Sequence, residues 1–518
     1  MAIHAIQLSL FSHQINALCG EMGAQLCHAA ISPNIRDRLD YSCAMFDCNG
    51  QLCAQAAHIP VHLGSMAYAM EGIVEKFSWS PGDLVIFNDP YMGGTHLPDV
   101  TIVLPVFVGD EHIGFVANRA HHADIGADEP GSMPLSTCLQ EEGIVLSPQY
   151  LGRKNLIDEN AFHKIFASVQ KKENTFADIS AQVGANIHGA FRLTALVESV
   201  GLYVYKDLLA NLFVYSNKIA VEQLKKIPDG NYSATDFMDD DGAGNTDLPI
   251  SVSINILEGT ITVDFSNSAC QVNGNINCPK AVTAAAVFYV FRCIMNEDVP
   301  TNAASFSSIS IVTKKGSLVD AEHPAAVAAG NVETSSRIVD VLFAALAKAC
   351  PGDIAASSQG TMNNIAMGSN DEPAWSYYET IGGGAGANAR YSGMSAVQTH
   401  MTNTQNTPVE VLEMNYPLQI QRYEIRNNSA GVGQYDGGSG IIREFKFLGN
   451  AKVTILSERR LRPPPGIHNG GAGAKGVNYL NNKKIAGKVT LSVIENDCLR
   501  IETPGGGGYG SVSSKECG

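Results

Sequence analysis

The stretch from Phe87 to Asp128, FNDPYMGGTHLPDVTIVLPVFVGDEHIGFVANRAHHADIGAD, constrains this chain more than any other. It holds two polar clusters separated by apolar sequence: Asp89, His96 and Asp99, then His121, His122 and Asp124. Val100 to Val108 and Ile113 to Ala117 are rich in β-branched residues and are broken by Gly109-Asp110-Glu111-His112. That pattern predicts two strands joined by a tight turn, a β-hairpin. A hairpin brings its outer ends together, so the two clusters become neighbours in space. Carboxylates and imidazoles converging at one end of a ribbon make a ligand set for a hard or borderline divalent metal. The competing reading is loop polarity. Asn88-Asp89-Pro90 and Gly93-Gly94 are turn formers, and the histidine pair then serves as hydrogen-bonded structure.

Composition narrows the class. A chain of 518 residues has room for about two to four domains. With 45% hydrophobic and 17% charged residues it is globular rather than disordered. A net charge of -16 argues against a nucleic-acid backbone or an anionic membrane as main partner. No apolar run reaches the roughly 18 residues of a membrane span. The N-terminal MAIHAIQLSLFSHQ lacks the basic region and long apolar core of a signal peptide. The twelve cysteines are scattered without a Cys-x-x-Cys pair, and Cys43, Cys48 and Cys53 match no standard zinc spacing. Reduced thiols in a cytoplasmic protein are the expectation.

Along the chain, residues 3 to 30 predict a packing helix, with Ile6, Leu10, Ile15, Leu18, Met22 and Leu26 at near-helical spacing and Pro33 marking its end. Tyr41 to Asp47 alternates, Asn49-Gly50 is a hairpin turn, and Leu52 resumes the pairing. Asp40 precedes that strand beside Arg36 and Arg38, which favours a salt-bridged structural group over a further metal ligand. His58 and His62 are four apart, but Pro60 argues against a helical two-histidine motif, so satisfied core histidines are expected, with one of them lining a pocket as the alternative. Glu141 and Glu142 are available as acids or bases. Between about 158 and 228 apolar residues recur at i, i+3 and i+4, predicting a helical hairpin layer that serves as scaffold or oligomer interface.

From 231 the period becomes two, as in antiparallel sheet. Asp239-Asp240-Asp241 lacks EF-hand spacing and reads as a solvated turn. CPKAVTAAAVFYVFRCIM predicts a buried helix and SFSSISIVTKKGSLVD a strand, turn and strand. GNVETSSRIVDVLFAALAKACPGDI predicts a long helix opened by capping-type Thr334-Ser335-Ser336. The glycine runs of ETIGGGAGANARYSG and TPGGGGYG match no nucleotide phosphate loop; they are flexible linkers or ordered tight loops. RRLRPPPGIHNGG reads as a rigid, basic, exposed loop, suited to an interface or an anion. The patterns together predict an α+β, multidomain chain with antiparallel and mixed sheets and a helical layer. Its parts are an N-terminal metal-site domain (1–157), a helical segment (158–230) and a mixed α+β domain with glycine-rich C-terminal loops (231–518).

The combination DRLDYSCAMFD, HIPVHLGSM, NDPYMGGTHLPDVT, AHHADIG with PGSMP, GNVETSSRIVD, NTPVEVLE and TPGGGGYG resembles the hydantoinase B family. That family includes B subunits of ATP-dependent hydantoinases, oxoprolinases and lactamases, and related subunits of acetone and acetophenone carboxylases. The resemblance covers essentially the whole chain. It implies a partner A-type subunit of the actin-like ATPase superfamily, in an A2B2 heterotetramer, which binds ATP with Mg and phosphorylates a small cyclic amide. It also implies one divalent metal on this chain, zinc first, with manganese or iron as alternatives. Carried over residue by residue, the ligands fall at His96, Asp99 and His121, with Asp40 as a further candidate. Asp89, His122 and Asp124 are then the candidates for proton transfer. Which of His121 and His122 faces the metal stays open, because adjacent strand residues point to opposite sides.

The expected activity is hydrolysis of a phosphorylated hydantoin, 5-oxoproline or lactam. Two alternatives share the resemblance: a subunit of an ATP-dependent ketone carboxylase, and a non-catalytic scaffold for the ATPase partner. Chain length favours the hydrolase over the longer carboxylases, and the dense polar clusters favour an enzyme over a scaffold.

Overall fold

A computed structural model describes residues 5–512 apart from Leu63, Glu372 and Pro373. Helix α1 (Ala5–Ala29) buries Phe11, Ile15, Leu18, Met22 and Leu26 along one stripe. Residues 3 and 4 of the expected helix lie outside the described residues. Pro33 does not extend this helix; it opens the short helix α2 (Pro33–Arg36), where its fixed φ suits the first turn.

Seven strands follow: β1 (Tyr41–Phe46), β2 (Leu52–Ala57), β3 (Leu84–Phe87), β4 (Asp99–Val108), β5 (Glu111–His121), β6 (Gln149–Arg153) and β7 (Leu156–Ile157). They form one antiparallel sheet in the order β2-β1-β5-β4-β3-β6-β7. The expected hairpin is β4 and β5, turned at Gly109-Asp110 with Gly109 in the left-handed region that such a turn demands (φ 59°). The short helix α3 (Ser65–Ile73) packs on one face of the sheet.

The helical layer comprises α4 (Glu159–Ile165), α5 (Lys172–Val200) and α6 (Leu202–Leu224). Three buried amides clamp α5 to the hairpin. Asn118 Nδ2 donates to the Gln182 carbonyl (2.7 Å) and to Asn186 Oδ1 (2.9 Å). Gln182 Nε2 donates to the Val100 carbonyl (3.0 Å), and Asn186 Nδ2 to that of Ile102 (2.9 Å). Buried polar groups matched in this way fix a helix against a sheet more specifically than apolar contact does.

A second sheet holds β8 (Gly230–Asp240), β9 (Thr246–Leu257), β10 (Thr260–Asp264) and β11 (Ile309–Val312), in the order β11-β10-β9-β8 with β10 and β11 parallel. Helices α7 (Lys280–Ile294) and α8 (Ser335–Leu346) complete its core. The strand expected after the Lys314–Gly316 turn does not form. Residues 317–320 make isolated bridges, and the Gly316 N–H closes onto the Asp320 carbonyl. A π-helical turn, Gly330–Thr334, precedes α8. Thr334, Ser335 and Ser336 therefore do not cap a helix start. The chain is already helical there, and Ser335 and Ser336 donate back to the carbonyls of Asn331 and Val332.

Residues 364–502 build two more antiparallel sheets, one of four strands and one of five. The fold is α+β, with antiparallel and mixed sheets. The glycine runs are ordered and interleaved. The amides of Gly384, Gly506, Gly507 and Gly508 donate to the carbonyls of Pro504, Gly438, Ser357 and Gly471.

Two expectations are corrected. Asp239 and Asp241 are buried, not solvated. Asp239 accepts from the amides of Arg460 and Leu461, and Asp241 from those of Ala243 and Asn245. Such bonds are what a buried carboxylate requires. Arg459 and Arg460 are likewise buried rather than exposed. Arg459 pairs with Asp236 and Asp340, while Arg460 donates to Asn363 and Asn478. Only Arg462 of that trio is partly exposed, paired with Asp247.

Candidate metal centre

Register builds the site. Asp99 opens β4 and His121 closes β5, and the two are directly opposite one another. Opposed residues on an antiparallel pair share a face. His96 lies one turn earlier, folded back by a bond from the Asp99 amide to its carbonyl (3.1 Å). One ligand atom from each of His96, Asp99 and His121 lies within 4.8 Å of the others, and all three residues are buried.

The two oxygens of Asp99 have different neighbours. Oδ1 faces His96 Nε2 (3.3 Å) and His121 Nδ1 (3.4 Å). Oδ2 accepts from Thr95 Oγ1 and has His62 Nε2 at 3.4 Å and Asn331 Nδ2 at 3.5 Å. Oδ1 is therefore the oxygen turned toward the imidazoles, and Oδ2 is the one that anchors the carboxylate. Asp40, just before β1, borders the same cavity, with its Oδ2 4.0 Å from His121 Nδ1. It stands outside the tight group of three. Tyr378 stacks on the His121 ring (centroids 4.6 Å apart, planes 12° apart) and fixes its orientation.

Electrostatics follow from burial and this pairing. Burial raises the carboxyl of Asp99, but His96 and His62 outweigh it and hold its pKa well below the ordinary value. Burial opposes charge on His96, yet Asp99 prevails and its pKa stands above the ordinary value. Burial prevails at His121, whose pKa is lowered despite Asp99. Nδ1 of His96 and Nε2 of His121 are buried without a hydrogen-bond partner, and His96 Nε2 has only its 3.3 Å approach to Asp99 Oδ1. Buried polar atoms are normally paired. Two imidazoles and one carboxylate with unfilled nitrogens fit a borderline divalent ion that keeps an open coordination position.

The other predicted site residues are not brought into this group. His122 points to the opposite side from His121, toward α5, with Nε2 3.0 Å from Gln182 Oε1. Asp124 accepts from the amides of Gly126 and Gln170. Asp89 caps the turn at Pro90–Met92, accepting from the Tyr91 amide and from Ser147 Oγ. His122 Nε2 and the carboxylates of Asp124 and Asp89 are thus engaged away from the group of three. His62 is the satisfied core histidine the sequence predicts, buried with Nδ1 3.0 Å from Ser42 Oγ, and it also borders the cavity. It lies in a 3-10 turn, Pro60–His62, which carries it to Asp99 although Pro60 excludes a longer helix. Asn331, Tyr378 and Thr404 also border the cavity, from segments far along the chain and with no sequence signal tying them to it.

The cavity beside the group is about 20 Å³, room for a water-sized group. His400 borders a larger cavity of about 650 Å³, while Met401, Thr402 and Thr404 border the small one. Near the centre, Glu142 is fully buried, and burial pushes its carboxyl up to about 7 despite bonds from the amides of Ala328 and Val327 and from Ser136 Oγ.

Comparison with known proteins gives a consistent picture. The Hydantoinase B/oxoprolinase family model matches residues 4–512. A 5-oxoprolinase from Arabidopsis thaliana is 37% identical over 540 residues, covering 98% of this chain and 42% of that protein. The chain thus spans about two-fifths of the length of the oxoprolinases it matches. The crystal structure of an ATP-dependent caprolactamase from Pseudomonas jessenii superposes with a TM-score of 0.92 at 25% identity, covering 99% of this chain and 92% of that one. A nucleotide-free acetone carboxylase superposes with a TM-score of 0.88 at 16% identity, over 98% of this chain and 75% of that one, a likeness of fold. No helix among the described residues is long and apolar enough to cross a membrane.

Proposed function

The chain belongs to the Hydantoinase B/oxoprolinase family, and from that premise we propose that it is the metal-holding B component of an ATP-dependent cyclic-amide hydrolase. Its substrate is a hydantoin, 5-oxoproline or lactam phosphorylated by a partner A subunit, which carries ATP and Mg. The pair works in the cytoplasm as an A2B2 assembly. The observation that carries the reading is the buried His96, Asp99 and His121 group with its unpartnered imidazole nitrogens. The oxoprolinase and caprolactamase likenesses favour ring amides as the substrate class.

An amide carbon is a poor electrophile because nitrogen donates into it. Transfer of the γ-phosphoryl group of ATP to the amide oxygen gives an O-phosphorylated imidate that, in its protonated form, keeps the amide N–H. Water adds to that carbon, the C–N bond breaks as nitrogen takes a proton, and the ring opens to an acyl phosphate. A second water releases inorganic phosphate and the free carboxylate. His96, Asp99 and His121 would hold the ion, zinc first, which supplies Lewis acidity when bound. Thr95, His62 and Asn331 keep Asp99 Oδ1 turned inward by engaging Oδ2. Asp40 borders the cavity outside the tight group, which favours a role as proton acceptor over that of fourth ligand.

The test is elemental analysis of the wild type and a His96→Ala variant, each assayed with the partner for lactam-dependent ATP hydrolysis and ring opening. The expected result is stoichiometric metal in the wild type, lost in the variant, with ring opening abolished while some ATP turnover survives. A metal-free wild type that supports full ring opening refutes the reading.

A further inference from the structure

Two side chains on the wall of the metal cavity have one hydrogen-bonding function left over, of opposite kinds. Asn331 is 3% exposed and sits on the π-helical turn before α8. Its Nδ2 is turned to Asp99 Oδ2 at 3.5 Å, as a carboxylate neighbour requires. Its Oδ1 is buried with no partner. An unfilled amide oxygen at a cavity asks for a donor. The turn that carries it is held firmly. The Gly330 amide donates to the Asn275 carbonyl, Ser335 Oγ to that of Asn331, and Glu142 takes the amides of Val327 and Ala328 just ahead.

Thr404 offers the complement. Arg38 Nη2 donates to Thr380 Oγ1 (3.2 Å) and Thr404 Oγ1 (3.4 Å), and Gln398 Nε2 donates to Thr380 Oγ1 (3.3 Å). The two hydroxyl oxygens are 2.7 Å apart. A hydroxyl oxygen accepts two bonds and donates one. With Arg38 and, in this orientation of its amide, Gln398 Nε2 filling its lone pairs, Thr380 gives its proton to Thr404. Thr404 then accepts from Arg38 and Thr380, and its own proton is free for a group in the cavity. Behind the pair, the Arg38 guanidinium is fully buried and makes no ion pair among the described residues. It also lies over the Tyr378 ring, 4.9 Å from the centroid. A buried cation without a carboxylate favours negative charge on whatever Thr404 binds.

We infer that Asn331 Oδ1 and the Thr404 hydroxyl read the edge of the activated amide, Asn331 accepting from the N–H that its protonated imidate form retains and Thr404 donating to the oxygen that bears the phosphoryl group, with Arg38 as a positioning residue behind Thr404. This deepens the cyclic-amide reading and rests on it for the substrate class. In a small lactam ring the amide is held cis, so N–H and C=O leave along the same edge. The remaining wall includes Met362 and Met401. Their unbranched thioether side chains can yield to a ring that the resting cavity does not yet admit.

The experiment measures binding of 2-pyrrolidinone and N-methyl-2-pyrrolidinone to the full-length, zinc-loaded chain by calorimetry or saturation-transfer NMR, for the wild type, Asn331→Ala and Thr404→Val. The wild type should prefer the N–H ring by roughly five- to tenfold, the worth of one hydrogen bond. Asn331→Ala should lose that preference. Thr404→Val should weaken both rings by a similar factor and keep the preference. Thr404→Val should carry the same zinc as the wild type, and Asn331→Ala, which also loses the contact to Asp99 Oδ2, is compared at zinc saturation. The inference is overturned if the wild type binds neither ring, if zinc-saturated Asn331→Ala keeps the preference, if Thr404→Val binds as the wild type does, or if Thr404→Val loses zinc. A ring-opening assay with the partner separates the two readings. Binding with these preferences but no ring opening leaves the recognition intact and removes the hydrolase.

Discussion

Glu142→Gln should make the protein more stable at pH 8 and leave it nearly unchanged at pH 5. The Glu142 carboxyl is raised from 4.5 to about 7 by burial. The folded state therefore binds its proton more tightly than the unfolded chain does. For a raised carboxyl, stability is highest below about 4.5, falls as pH climbs to about 7, and is flat beyond. The slope in that window is about 1.4 kcal/mol per pH unit, so the loss by pH 8 is about 3 kcal/mol as an order of magnitude. Glutamine has the shape of the neutral acid. Its Oε1 can keep the bonds from Ser136 and the amides of Val327 and Ala328. Thermal melts at a fixed scan rate, with chelator present so that no ion contributes at the neighbouring histidines, measure the effect. Glu333 is raised in the same way by burial and by Glu458, so the variant should keep part of the pH dependence. A variant destabilised equally at both pH values would refute the argument. It would mean that Glu142 is ionised in the fold and that its charge is part of the structure.

Two further substitutions separate structure from site. His122→Gln should retain metal content, read by elemental analysis, because His122 engages Gln182 and not the His96, Asp99 and His121 group. Gly330→Ala should cost about 3 kcal/mol or more and reduce soluble yield, since a Cβ there would stand 1.8 Å from the Asn277 carbonyl oxygen.

The hairpin and its two polar ends were legible because a period of two with a turn in the middle leaves one way to fold, and register then sets Asp99 opposite His121. The choice between His121 and His122 was not legible. It depends on which strand face meets α5, a fact set by Gln182, some sixty positions away. Buried charge was misread for a related reason. Arg459, Arg460, Asp239 and Asp241 look like surface residues from composition, and only their partners from distant segments allow their burial. The glycine runs allowed two readings. The structure selects the ordered one because each strand of glycine backbone is paired by another, which side chains would prevent.

The division of labour across the cavity has a consequence for specificity. One wall is the rigid end of a seven-stranded sheet, where His96, Asp99 and His121 are fixed by register, by Tyr378 stacking and by the anchored Oδ2. Much of the remaining lining comes from chain more than two hundred positions later: Asn331, Met362, Met401 and Thr404. On the proposed cyclic-amide reading, substitutions there change which ring is accepted without moving the histidines, because only Asn331 among these four touches Asp99. Exchanging Met362 or Met401 for a larger apolar residue should therefore shift the preference among ring sizes at constant zinc content. A shift in both together would show that the sheet end and the remaining lining are mechanically one.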